Sequence, residues 1–375
     1  MQIVVNTRLL LKGKLEGIGW FSYQTLKRIT QQNKNVHFVF IFDRDFDEDF
    51  IFSENVTPLI VGPQARHPFL YYLFFQHGVK AVLNKLKPDL FLSPDGFLSL
   101  NARCKQLPVI HDINFLHHPG DSKWLTSKYY NYYFPKFAQA ATRIATVSNY
   151  SKNDIATNYN IPASTIDVVY NGVNDEFRKL TSDEIIIARK KYTNGQGFFL
   201  HVGALHPRKN VARLINAFSI FKARTGSSKK LVLAGPAFWG LQSIHEALNA
   251  SAYKNDIVFT GRLEAAELAL VMGAASAFCL VSYYEGFGIP LIEAMAAGVP
   301  IICSNASCLP EIAADAALYA DPFSAESIAN QMLAIESDSK LASELVSKGQ
   351  QRVSNFSWDQ TSALLWQSIE KTVQT

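Results

Sequence analysis

Two carboxylates, Glu285 and Glu293, frame the segment Glu285-Gly286-Phe287-Gly288-Ile289-Pro290-Leu291-Ile292-Glu293. Gly286 and Gly288 make a loop whose backbone can come close to a ligand. Pro290 suits the first turn of a helix and Gly298 suits its end, so the spacing predicts a helix over 290–297. The start of such a helix presents N–H groups and a positive dipole end, a seat for phosphate. A carboxylate accepts two hydrogen bonds from vicinal hydroxyls. Two carboxylates beside a phosphate seat therefore suit a sugar nucleotide, which carries such hydroxyls on both ribose and hexose. The spacing alone also allows a plainer reading, in which Glu293 complements the helix dipole and Glu285 is a solvated loop residue.

Other residues could serve the same chemistry. In His201-Val202-Gly203-Ala204-Leu205-His206-Pro207-Arg208-Lys209-Asn210 a strand runs into a turn and a helix, with Asn210 as the expected N-cap. Arg208 and Lys209 at that turn can neutralise a diphosphate, both in the ground state and as a leaving group; a solvated basic turn is the alternative. Gly17-Ile18-Gly19 precedes a helical pattern, but Ser22 replaces the third glycine of a dinucleotide fingerprint, so a tight strand–helix turn explains it equally. His111 stands at the expected carboxyl end of a strand, with Asp112 to cap or orient it. Gly261, Arg262 and Leu263 follow another strand and are placed near a nucleotide base. Asp43, Asp45, Asp47 and Asp49 form pairs that could hold a divalent metal under a diphosphate. Lying far in sequence from Glu285, they read as a solvated acidic loop, and no metal is expected.

The elements that must position these groups alternate. Apolar runs at 3–6, 36–42, 90–93, 109–111, 144–147 and 166–170, then 198–202, 231–234, 257–260, 277–281 and 301–304, read as strands buried on both faces. Helical patterns such as 211–224 and 264–275 fill the gaps. The result is α/β: two doubly wound parallel sheets, with a break over 181–197 and an amphipathic helix from Ser357 to the end. Four cysteines without a C-x-x-C pair argue against a disulfide scaffold and a zinc site, and fit a reducing cytoplasm. No signal peptide or membrane-spanning run is evident. Residues 60–152 hold 11 Lys and Arg against 4 Asp and Glu, so the first half suits an anionic partner. The aromatic and basic segments 71–87 and 123–136 could lie on an anionic membrane or simply pack as helices. No motif favours nucleic acid.

E-G-F-G-x-P-x-x-E-A-M-A-x-G-x-P closely resembles the E-x7-E segment of glycosyltransferase family 4, a retaining family of the GT-B fold, in which two Rossmann-like domains face a central cleft. The resemblance implies an acceptor-binding domain at 1–180, a donor-binding domain at 181–356 and a C-terminal helix at 357–375 that crosses back to the first domain. It implies that Glu285 contacts the donor hexose near its 3-hydroxyl, and that Glu293 holds the ribose. Gly286, Phe287, Gly288, Ile289, Leu291 and Gly203 then border the sugar or diphosphate. Gly17 and Gly19 resemble the family's cleft-facing glycine loop, and His111 resembles a histidine beside the hexose. Ser148 and Asn171 match family positions that line the cleft or are structural. Many relatives carry Arg where this chain has Ala204, which leaves the neutralising charge to Arg208 and Lys209. The implied activity is hexosyl transfer from a nucleoside diphosphate sugar to a glycan or lipid-linked glycan, without a cofactor. The segments around His206 and His111 are similar to mannosyl- and rhamnosyltransferases of surface polysaccharides, and point to GDP-mannose. A sugar-nucleotide epimerase, a phosphorylase-type enzyme and a non-catalytic glycan-binding protein are the competing readings.

Overall fold

The apolar runs become parallel strands. In a computed structural model, which describes residues 1–237 and 240–375, the chain forms two units: Met1–Asn171 with Trp358–Thr375, and Gly172–Ser357. In the first unit the strands are β1 (Gln2–Asn6), β2 (His37–Phe42), β3 (Val56–Ile60), β4 (Leu90–Ser93) and β5 (Lys105–Pro108), in the order β3-β2-β1-β4-β5. Val109 bridges Ala145, which carries the parallel ladder onto the pair β6 (Ile144–Thr146) and β7 (Ile166–Val168). Alternation along β1 sends Ile3 and Val5 into one apolar cluster and Val4 into the other, so both faces are covered.

The C-terminal helix Trp358–Gln374 belongs to this first unit. Its Trp358, Leu365 and Ile369 join the cluster that holds Phe21, Leu26 and Ile29 of the helix Gly17–Gln32. Leu365 and Ile369 are completely buried, a stabilisation of about 1.5–3 kcal/mol each. Arg28 Nε pairs with Asp359 at 2.6 Å, and Thr361 Oγ1 donates to the Tyr170 carbonyl at 2.7 Å.

The second unit holds β8 (Phe198–Val202), β9 (Lys230–Ala234), β10 (Ile257–Gly261), β11 (Ala277–Leu280), β12 (Ile301–Ser304) and β13 (Ala317–Ala320), all parallel, in the order β10-β9-β8-β11-β12-β13. Chain direction along the sheet reverses between β8 and β11. Crevices at the carboxyl ends of such neighbours are where open α/β sheets take ligands. Residues 172–180, which the sequence reading gives to the first domain, pack in this unit: Leu180 covers Gly273, where a β-carbon would come within 2.5 Å of it. Thr181 then opens the helix Ser182–Thr193 with a capping box to Glu184.

Several local expectations change. The run at 109–111 is not a strand of its own; the strand is β5, just before it, and Val109 only continues the ladder. Gly17 and Gly19 lie inside the first turn of a helix, not in a tight turn before it. Among the described residues, no helix is long and apolar enough to cross a membrane.

Candidate active site

Glu285 follows β11 and is almost fully buried, with its side chain 6% exposed. A buried carboxylate must be paired, and two cations pair it. Arg208 Nη1 donates to Oε2 at 2.7 Å and Lys209 Nζ donates to Oε1 at 2.7 Å. Arg208 Nη1 also donates to the Tyr284 carbonyl at 2.8 Å, which fixes the guanidinium to the loop after β11. Burial alone would raise the Glu285 pKa, but Arg208 and Lys209 outweigh it and hold it down at about 2. The carboxylate is therefore ionised at any physiological pH. Two cations against one anion leave the cluster with net positive charge, suited to a diphosphate.

The cations arrive on a short turn. After β8, His206 Nδ1 accepts from the Arg208 N–H, and Pro207–Lys209 form a single 3₁₀ turn. Asn210 does not cap the helix Val211–Thr225 with its side chain. Its backbone is left-handed (φ 61°), and its side-chain amide donates instead to the Val281 carbonyl at 2.9 Å and the Pro322 carbonyl at 2.7 Å. That amide ties the basic turn to the end of β11, which is how Arg208 and Lys209 reach Glu285. The loop is braced from the other side as well. The Glu285 N–H donates to Ser307 Oγ at 3.0 Å, and Cys308 Sγ donates to the Glu285 carbonyl at 3.2 Å.

The helix after the loop spans Ile289–Ala296, one residue earlier than expected, with Gly288 left-handed before it (φ 85°). A β-carbon on Gly288 would come within 2.9 Å of Leu309, so glycine answers both a backbone and a packing demand. Phe287 and Leu291 are buried; Phe287 packs edge-on against Phe356. Their side chains are core, and only backbone can meet a ligand there. Pro290 has no N–H, and the Leu291 N–H donates to the Gly288 carbonyl, so Gly288 and Ile289 supply the amides of this helix end. Glu293 stands on the same helix, half-buried, without an ionic or hydrogen-bonding side-chain partner among the described residues. Burial pushes its pKa up to about 8. The two acids are thus opposites: cations hold one as an anion, and burial pushes the other toward its protonated form.

Gly203 ends β8 with φ 147°, beside the Lys209 stem. Gly235, which the sequence reading passed over, ends β9, and a β-carbon there would lie 1.9 Å from the Gly203 carbonyl oxygen. The Gly235 N–H donates to the Gly261 carbonyl at 2.9 Å. Three glycines thus form a low floor across the carboxyl ends of β8, β9 and β10. Gly261, Arg262 and Leu263 lie at its far end, with Arg262 exposed.

Four of the expected site residues belong to the first unit. Gly17 has open space where a β-carbon would be, whereas Gly19 lies close to the Leu9 carbonyl and Leu15. His111 Nε2 is 2.9 Å from the Pro94 carbonyl, so Nε2 carries the proton and Nδ1 is the acceptor. Burial lowers its pKa, and its ring packs edge-on against Phe21. Asp112 caps the turn that follows, accepting from the Asn114 N–H at 3.0 Å. Ser148 is buried and caps the helix Asn149–Tyr159, accepting from the Ser151 N–H at 3.1 Å. Asn171 is buried at the end of this unit. The acidic loop differs from expectation at Asp43, which is buried and held by Arg44 and the Ala65 N–H; Asp47 and Asp49 pair with Lys12. A buried Arg8–Asp95 pair at the ends of β1 and β4, with Arg8 over Phe97, was not anticipated.

Two doubly wound sheets in one chain, with a charged cluster at the switch point of the second, define the class of GT-B proteins. The crystal structure of Anabaena Alr3699/HepE in complex with UDP and glucose has this fold, with a TM-score of 0.77, 18% identity, and coverage of 99% of this chain and 100% of that one. Residues 15–177 match the model of Glycosyltransferase Family 4, and residues 182–352 match that of Glycosyl transferases group 1. The first match covers most of the first unit and the second most of the second, and the chain is a glycosyltransferase. It is 26% identical to the O-antigen chain mannosyltransferase B of Escherichia coli over 96% of this chain and 97% of that one. It is 29% identical to the O-antigen chain mannosyltransferase RfbU of Salmonella typhimurium over 58% and 57% of the two chains.

Proposed function

We propose that the chain transfers a mannosyl unit from a nucleoside diphosphate sugar, GDP-mannose, to a hydroxyl of a glycan or lipid-linked glycan, with retention at the anomeric carbon. The observation that carries this reading is the Glu285 carboxylate held between Arg208 and Lys209 at the β8–β11 switch point. The names of the Escherichia coli and Salmonella relatives support the mannosyl unit and the polysaccharide acceptor. Glu285 positions the hexose, and Glu293 accepts from the ribose hydroxyls. Arg208, Lys209 and the amides of Gly288 and Ile289 stabilise the diphosphate as the bond from the anomeric carbon to its oxygen breaks. The acceptor oxygen bonds to the same carbon, and its proton passes to the departing diphosphate. No side chain acts as nucleophile and no metal is required. His111, in the first unit, has Nε2 engaged by Pro94 and Nδ1 as an acceptor, and is given no role as a base.

A thermal-shift screen of UDP, GDP, ADP and dTDP sugars tests the donor. A ligand at about a hundred times its Kd adds about 2.7 kcal/mol, and the largest shift is expected with GDP-mannose. A larger shift with another nucleotide sugar would overturn that assignment. Transfer should continue at the same rate in a chelator.

The first unit is proposed to rest on an anionic membrane that carries the acceptor. Of the four aromatics of 71–87, Phe74 and Phe75 turn inward and are buried. The helices Pro68–Leu73 and Trp124–Ala140 meet through Tyr72 and Tyr133, and leave Phe69, Tyr72, Trp124, Leu125 and Tyr132 exposed. Exposed Arg66, Lys123 and Lys128 stand among them. Aromatic and cationic side chains together suit an interface of acidic headgroups.

A further inference from the structure

The amino ends of β4 and β5 border a cleft of about 760 Å³, a size that takes a small ligand. Lys80, Asn84 and Lys87 line it from one segment, and Asn101, Arg103 and Cys104 from another. Spacing explains the first three. Lys80 and Asn84 are one turn apart on the helix Lys80–Leu86, and Lys87 follows as its left-handed cap (φ 49°), so the three share a side. Asn101 is also left-handed (φ 62°) and turns the chain toward β5. Leu90 of β4 pairs with Lys105 of β5, which sets Lys87 and Arg103 beside the same end of the sheet. Among the described residues, no carboxylate and no aromatic ring lines the cleft. Among the same residues, no ion pair or side-chain hydrogen bond engages Lys80, Lys87 or Arg103. A cation at a helix C-terminus complements the dipole, which accounts for Lys87 but not for Lys80 or Arg103. The helix end brings about half a negative charge against three full positive ones. The cleft therefore carries uncompensated positive charge, and it has no ring on which a base could stack.

We propose that this cleft is a second anion site, which takes a phosphate group carried on a small non-aromatic body. Lys80, Lys87 and Arg103 bind the phosphate oxygens, the lysines as point charges and the arginine as a fork of donors. Asn84 and Asn101 hydrogen-bond to the hydroxyls or ester oxygens beside it. The same phosphate chemistry comes from a soluble phosphorylated molecule or from the headgroup of an acidic lipid. Open α/β sheets take their usual ligands at the carboxyl ends of strands; this cleft is at the amino ends, with the four residues of β4, about 10 Å, between the two. A phosphate held here is clear of a ligand there, so the proposal stands whether or not the chain transfers sugar.

Cys104 reports on the cleft. It is half-buried, whereas Cys279, Cys303 and Cys308 are buried, so N-ethylmaleimide added to the folded full chain should label Cys104 first. Burial pushes its thiol up to about 11, which makes the labelling slow enough to time. Inorganic pyrophosphate at about ten times its Kd should slow that labelling about tenfold, and sodium chloride of matched ionic strength should not. Lys87→Gln combined with Arg103→Gln should abolish the protection. Both residues are exposed, so this variant should fold, with the three buried cysteines still unlabelled. Lys209→Ala, in the other unit, should keep the protection, which separates this cleft from the basic turn beside Glu285. Vesicles of phosphatidylcholine with and without phosphatidic acid test the lipid source. At equal phosphate, stronger protection by the acidic vesicles assigns a headgroup, and stronger protection by pyrophosphate assigns a soluble ligand. The proposal is overturned if neither probe protects, if chloride protects equally, or if protection survives in the double variant.

Discussion

The two glutamates of the motif differ in proton chemistry because their neighbours differ. Glu285 is ionised between two cations, with its pKa down at about 2. A carboxyl with a lowered folded pKa contributes stability above its unfolded value that is lost as pH falls through the folded one. Acid melting curves should therefore show wild type losing stability between about pH 4.5 and pH 2, and Glu285→Gln should lack that component. Glu293 has the opposite sign. Its folded pKa of about 8 stands above the ordinary 4.5, so the folded chain holds more protons and stability falls as pH rises between the two. Ionisation also frees both oxygens for ribose hydroxyls. The gain in nucleoside diphosphate affinity on going from about pH 6 to pH 9 should be larger in wild type than in Glu293→Gln, read by calorimetry. Equal pH dependence would remove Glu293 from the ribose site. At this scale the sequence shows Glu285, Arg208 and Lys209 as separate motif residues. Their ion pairs depend on Asn210 reaching Val281 and Pro322, a long-range contact that no local pattern displays.

Elements were legible where both faces are buried and less so at sheet edges. β3 contains Pro58 and is half-exposed, and so its sequence lacks the continuous apolar signal. At an edge a proline costs no ladder bond, which is why it is tolerated there. β13, an edge of the second sheet, was missed for a different reason: Ala317-Leu318-Tyr319-Ala320 is apolar but short and half alanine, a weak strand former. Glycines separate into three grades by what a methyl group would meet. Gly235→Ala drives a β-carbon into the Gly203 carbonyl and should cost at least about 3 kcal/mol or abolish soluble expression. Gly288→Ala adds a strained φ to a close contact and should cost about 1–3 kcal/mol. Gly17→Ala meets nothing and should melt within about 0.5 kcal/mol of wild type. Denaturant titration checks all three. A stable Gly17→Ala that loses transfer would show that substrate, not packing, requires the glycine.

At the scale of the molecule, two units repeat one sheet order, and the C-terminal helix completes the first of them. The alternation of strands and helices made this division readable, and the charge asymmetry pointed to the first unit as the one with an anionic partner. On that account the chain should float with vesicles containing acidic lipid and not with neutral ones. Trp124→Ala combined with Lys123→Glu and Lys128→Glu should abolish flotation; undiminished flotation would exclude this face. The central claim is that the Glu285 cluster performs hexosyl transfer. It is tested most directly by the rate of GDP release from GDP-mannose coupled to mannosylated acceptor. We expect acceptor-dependent turnover in wild type, and losses of about 10²-fold or more in kcat for Glu285→Gln and for Lys209→Ala in folded protein. Full wild-type turnover in both variants would contradict it.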